Sequence, residues 1–179
     1  MEKGKYNILI LIVDYIIQGY KMINVLINGC NGKMGQEVGK LVDSHENMVL
    51  ACGFDRENTG IFTFPVFTDI NNITVKPDVI IDFSIPKATL KILEYAKKEH
   101  IPIVIATTGF TEEEQSLIND FAKNIPIFKS SNMSYDINLM AKVLTMIAPV
   151  LKNTDIEIIE THHNRKIDSP SRNSFASCR

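Results

Sequence analysis

The stretch MINVLINGCNGKMG, residues 22–35, decides how the rest of the chain is read. Its first half is apolar and β-branched with little polar alternation, as expected of a strand buried on both faces. Its second half sets Gly29, Gly32 and Gly35 in a G-x-x-G-x-x-G pattern. The following run, KMGQEVGKLVDS (33–44), has a helical period that puts Met34, Val38, Leu41 and Val42 on one face. Strand, glycine turn and helix form the opening unit of a dinucleotide-binding sheet. Glycines let backbone N–H groups approach a pyrophosphate, and the positive end of the helix favours its charge. The first glycine spacing is one residue longer than in G-x-G-x-x-G, so the triplet alone is a modest signal.

The next segment strengthens it. MVLACGF (48–54) reads as a second buried strand and runs directly into Asp55-Arg56. Asp55 lies twenty residues beyond Gly35, near the position where an acid meets the adenosine ribose hydroxyls. Arg56 beside it suits a 2′-phosphate, so the pair points to NADH and NADPH without strong preference. The competing reading is a tight glycine turn followed by a solvated Asp-Arg pair.

Outward from there the βα rhythm continues. PDVIIDFS (77–84) is a third strand, and KATLKILEYAKKEH (87–100) an amphipathic helix with Leu90, Leu93 and Ala96 inward. IPIVIATTGF (101–110) is a strand entering a polar loop. Thr111 and Glu114 form a T-x-x-E capping box for EEEQSLINDFAK (112–123). IPIFKS (125–130) is a short strand, YDINLMAKVLTMIAPVLK (135–152) a long apolar helix, and DIEIIETHH (155–163) a last strand. Repeated βα units with apolar strands imply an α/β fold with a doubly wound, parallel, Rossmann-type sheet. Two polar loops, ATTGF (106–110) and SSNMS (130–134), follow strand ends, where open α/β sheets bind ligands. The alternative for each is an ordinary connecting turn with a helix cap.

Bulk properties exclude several classes. The chain has 179 residues, 45% apolar and 22% charged, with a formal net charge of −2. That balance gives no general attraction to nucleic acid or an anionic membrane. Cys30, Cys52 and Cys178 form no CxxC pair, which argues for a reducing compartment and against a disulfide framework or zinc site. The run Ile8–Ile17 is apolar but interrupted by Asp14 and too short to span a bilayer. Met22 is therefore read as the natural start and residues 1–21 as an upstream extension, with an added strand or interfacial anchor as the alternative.

The densest chemistry lies in ETHHNRKIDSPS (160–171). Histidine titrates near neutrality and exchanges protons, and a lysine nearby holds a carboxylate or supplies a proton. Neighbouring strand residues point to opposite faces, so His162 and His163 chelate one metal poorly, and no metal is expected. A solvated charged loop is the plain alternative.

Together NGCNGKMG, DFS (82–84), TTGF, SNMS and ETHHNRKIDSPS resemble 4-hydroxy-tetrahydrodipicolinate reductase, also called dihydrodipicolinate reductase, over Met22 to Ser171. The resemblance implies an oxidoreductase of lysine and diaminopimelate biosynthesis. It would pass a hydride from NADH or NADPH to a cyclic imine dicarboxylate in the cytoplasm. It implies that Gly29, Cys30, Asn31, Gly32, Lys33 and Met34 cradle the pyrophosphate and that Asp55 and Arg56 read the ribose. Thr107, Thr108 and Gly109, with Ser130, Ser131, Asn132 and Met133, would line the nicotinamide half. His162 would be the proton donor or acceptor, Lys166 the second proton donor, and His163 a substrate contact. No nucleic acid, membrane or metal partner is implied. A homotetramer is implied for the family at full length and is doubtful for this chain.

Two departures qualify these expectations. Tyr135-Asp136 stands where the family pattern has a small residue and glycine. After Ser171 the family continues Gly-Thr-Ala, whereas this chain reads RNSFASCR (172–179). A permitted coding of those eight residues regains Gly-Thr-Ala when one nucleotide is removed, so they are read as an out-of-frame tail. The expected layout is an extension (1–21), a dinucleotide-binding domain (22–134), the start of a truncated α+β substrate domain (135–171) and the tail (172–179). A chain so arranged is expected to turn over little, and a non-catalytic dinucleotide-binding module is the alternative.

Overall fold

A computed structural model describes residues 22–130 and 133–151. They belong to two compact units that divide between Phe128 and Lys129. The first opens with β1 (Ile23–Asn28), α1 (Lys33–Asp43), β2 (Met48–Phe54) and the short β3 (Val66–Phe67). It continues through β4 (Val79–Asp82), α2 (Pro86–Glu99), β5 (Ile103–Ile105) and α3 (Glu112–Phe121) to β6 (Ile127–Lys129) at the division. The strand order is β3-β2-β1-β4-β5-β6. The pairings β1–β2, β1–β4, β2–β3 and β4–β5 are all parallel. This is a Rossmann-type sheet with its topological switch between β1 and β4, where the carboxyl ends of neighbouring strands diverge into a crevice.

The apolar strand β1 explains the two layers. Val25 and Ile27 face a core with Val42 of α1, Leu50 and Val66. Leu26, between them, faces the other core, with Ile80 and with Ile92, Leu93 and Ala96 of α2. All three β1 side chains are fully buried. Alternate residues of a strand point to opposite faces, so both sides of the sheet need a helical cover. The Thr111–Glu114 capping box forms as the sequence predicts: Glu114 N–H donates to Thr111 Oγ1 at 3.2 Å, and Thr111 N–H to Glu114 Oε2 at 2.9 Å.

One expectation is corrected. Met34 and Leu41 do not join the inner face of α1; they are 54% and 68% exposed. The buried positions are Gly35, Gly39 and Val42. Glycines four apart let the helix backbone lie close to the sheet, so the contact face rotates onto them and away from the larger side chains. Strand β3, only two residues long, has too little pattern to be read in advance. The second unit contains α4 (Tyr135–Ile147), whose Ser134 N-cap accepts from Ile137 N–H at 3.4 Å. No residue of α4 is buried, although Leu139, Met140, Val143 and Met146 are large and apolar. The expected strand at 155–163, the extension 1–21 and the tail 172–179 lie outside the described residues.

Candidate functional site

The glycine turn is built from main chain packed on main chain. Gly29 has φ +83°, and its N–H donates to the Phe54 carbonyl at 2.8 Å. A Cβ on Gly29 would lie 2.6 Å from the Phe83 carbonyl oxygen, so only glycine closes the turn against the end of β4. A Cβ on Gly35 would run into the Gly29 carbonyl oxygen. Helix α1 therefore starts directly on the turn. Its N-cap, Gly32, offers no side-chain acceptor, and its first turn holds no acid. The leading N–H groups of α1 are left to an incoming anion.

Asp55 ties the turn to the end of β2. Its Oδ2 accepts from Asn31 N–H at 2.8 Å and its Oδ1 from Arg56 N–H at 2.7 Å. Asn31 adds a bond from Nδ2 to the Glu57 carbonyl at 2.8 Å, and Thr59 Oγ1 pairs with Asn31 Oδ1 at 3.1 Å. A carboxylate has about four acceptor directions, so Asp55 keeps capacity for a ribose hydroxyl while it holds the loop.

Beneath the turn lies a polar knot that the sequence reading did not single out. Asn28 ends β1 and pairs in register with Asp82, which ends β4. Asp82 is fully buried. Its Oδ1 accepts from Asn28 Nδ2 at 2.8 Å and from Ser84 Oγ at 2.5 Å, and its Oδ2 from Thr89 Oγ1 at 2.6 Å. Burial raises the Asp82 pKa above the ordinary 3.8, and the hydrogen bonds from Ser84, Thr89, Thr107 and Asn28 oppose that rise. Thr107 is nearly buried, and its Oγ1 accepts from Ser84 N–H at 3.0 Å. The available clue was a DFS triplet closing an apolar strand with a threonine five residues on.

Above these groups opens a cleft of about 1080 Å³. Gly29, Asn31 and Gly32 line one part, Asp55, Arg56 and Thr68 another, and Ser84, Lys87 and Lys91 a third. The structure thus gathers the first glycines and the Asp55-Arg56 pair into one site. Cys30 is buried behind the turn, whereas Lys33 and Met34 are exposed on α1. Thr108 and Gly109 follow Thr107 in the loop after β5, and none of the three lines the cleft. Ser130 and Met133 belong to the second unit. Ser131, Asn132, His162, His163 and Lys166 lie outside the described residues. Among the described residues no group of three or more His, Cys, Asp or Glu is placed to hold a metal, and no helix is long and apolar enough to cross a membrane.

Residues 23–133 match the family described as dihydrodipicolinate reductase, N-terminus, and residues 136–177 its C-terminal counterpart. The chain belongs to the dihydrodipicolinate reductase family. It is 42% identical over 153 residues to the 4-hydroxy-tetrahydrodipicolinate reductase of Clostridium tetani, covering 85% of this chain and 60% of that one. It is 45% identical over 150 residues to the Caldanaerobacter subterraneus enzyme of that name, covering 84% and 59%. The chain thus spans about 60% of the length of these curated relatives. The dipicolinate-bound dihydrodipicolinate reductase of Paenisporosarcina sp. TG-14 superposes with a TM-score of 0.73 at 32% identity, covering 87% of this chain and 64% of that one. A scyllo-inositol dehydrogenase from Lactobacillus casei shares the fold alone, at a TM-score of 0.56 and 13% identity.

Proposed function

We propose that this member of the dihydrodipicolinate reductase family binds NADH or NADPH in the cleft over β1 and β2. We propose further that the binding serves reduction of 4-hydroxy-tetrahydrodipicolinate in the cytoplasm. The observation that carries the reading is the Gly29–Gly35 turn. It admits no Cβ at Gly29 or Gly35, opens an uncapped helix, and is latched to Asp55 at the strand end where a ribose is met. Bound reduced nicotinamide supplies the hydride. The turn and the start of α1 hold the pyrophosphate, and Asp55 and Arg56 hold the ribose end. In this reading residues 22–134 are the dinucleotide-binding domain and 135–171 the start of the substrate domain. Thr107–Gly109 and Ser130–Met133 border the nicotinamide. His162 and Lys166 handle protons, and His163 meets a substrate carboxylate.

Calorimetric titration of the full chain with NADH and with NADPH, followed by an assay of substrate-dependent NADPH oxidation, tests this. Saturable one-site binding is expected, followed by substrate-dependent oxidation of NADPH. Absence of binding by either dinucleotide overturns the proposal. Binding with no turnover at all favours the second reading, a dinucleotide-binding module without catalysis.

A further inference from the structure

The cleft holds more positive charge than its acids balance. Arg56, Lys87 and Lys91 line it together with Asp55 and Glu57. Asp55 is already engaged by two backbone N–H groups. Among the described residues the ion pairs are Lys40–Glu37, Lys98–Glu99 and Lys123–Asp120, so none of the three cleft cations is neutralised there. Lys87 and Lys91 are four residues apart on α2 and share a helix face, a spacing at which like charges oppose the helix. Lys87 also stands in the first turn of α2, where the helix end is itself positive and no acid is present. This placement works against local stability and favours an anion lodged between the lysines and Arg56.

The pyrophosphate has its own donors at the glycine turn and the start of α1. Arg56 follows β2 and Thr68 follows β3, and the order β3-β2-β1 sets both beyond the turn, on the adenosine side of the sheet. Building on the dinucleotide reading above, we infer that Lys87 and Lys91, with Arg56, recognise a phosphate on the adenosine ribose. The cleft is thereby selective for the 2′-phosphorylated dinucleotide. Lys87 and Lys91 are specificity-determining side chains contributed by the helix after β4; they line the same cleft as the Asp55-Arg56 pair, and Lys91 also borders the segment that follows β3.

The test is titration of the full chain with NADPH and NADH at low salt and at about 0.3 M salt, where screening is strong. The comparison is with the Lys87→Gln/Lys91→Gln double variant. Both lysines are exposed, so the variant folds as the parent does, and its melting temperature checks this. NADPH is expected to bind about tenfold more tightly than NADH at low salt, at roughly threefold per exposed lysine. That margin should shrink with salt. The double variant should lose about tenfold for NADPH and stay within about twofold for NADH. Equal affinities in the parent, or an equal loss for both dinucleotides in the variant, overturn the selectivity and leave the binding site standing. Failure of the parent to bind either dinucleotide overturns the site and the selectivity together.

Discussion

The Asn31 backbone N–H donates to Asp55 Oδ2 across 2.8 Å, joining the glycine turn after β1 to the end of β2. Asp55, the acid proposed to meet the ribose, is therefore also a latch on the glycine turn proposed to hold the pyrophosphate. Asp55→Ala should lower dinucleotide affinity and also cost about 1–3 kcal/mol of stability, the range for a lost charge-assisted bond to a partly buried donor. Asp55→Asn keeps one carbonyl acceptor and should lose less of both. Urea midpoints and calorimetric affinities on the two variants check this. An unchanged midpoint in Asp55→Ala would rule the latch out.

Gly29 and Gly109 separate backbone strain from collision. Both have positive φ, +83° and +86°. A Cβ on Gly29 meets the Phe83 carbonyl, and a Cβ on Gly109 meets nothing within 4 Å. Gly109→Ala should cost only the left-handed penalty of about 1 kcal/mol. Gly29→Ala adds a clash with backbone that has no room to yield. Its cost should reach at least about 3 kcal/mol, with loss of dinucleotide binding. Thermal melts of the two variants side by side give the difference directly.

Asp82 makes part of the stability pH-dependent. Its pKa is raised in the folded state, so its contribution is present in full below the unfolded value of 3.8 and is lost as pH rises through the folded value. Asp82→Asn removes that titration and one acceptor, and should cost about 1–3 kcal/mol at low pH. The stability gap between parent and variant should then narrow from about pH 4 toward neutrality. Denaturant melts of both proteins across that range test the sign. A gap that widens with pH would contradict the assignment.

Burial pushes the Cys30 and Cys52 thiols up to about 12, with the Asp55 charge adding to the effect on Cys30. Both side chains are almost fully buried. In a Cys178→Ser chain, a disulfide reagent at pH 8 should label these two thiols roughly a thousandfold more slowly than free cysteine, from thiolate fraction alone. Labelling should become fast once the chain is unfolded in urea.

Much of this architecture is legible in local pattern. The first two strands and the helices after the glycine turn and after β4 show in apolar runs and periodicity, because each is buried against a whole layer. The capping box shows because two side chains three residues apart settle it. The inner face of α1 was misread because Gly35 and Gly39 contribute no apolar side chain to a periodicity count, yet they set how closely the helix approaches. The polar knot at Asp82 and the lysines of α2 are not legible locally because their meaning depends on residues far earlier in the chain, Asn28 for Asp82 and Arg56 for the lysines. Asn28 reaches Asp82 only when β1 and β4 pair, and Lys87 comes to line the same cleft as Arg56 only when the chain is folded.

A turn in which the Gly29 carbonyl excludes a Cβ at position 35 and the Phe83 carbonyl excludes one at position 29 offers mutation almost no foothold there. No other amino acid fits at Gly29 or Gly35, so the part of the cleft proposed to grip phosphate is frozen against gradual change at those two positions. On the selectivity proposed above, drift in which dinucleotide the protein prefers is written in the long side chains around it, at Arg56, Lys87 and Lys91, where one codon at a time can be exchanged without disturbing the turn.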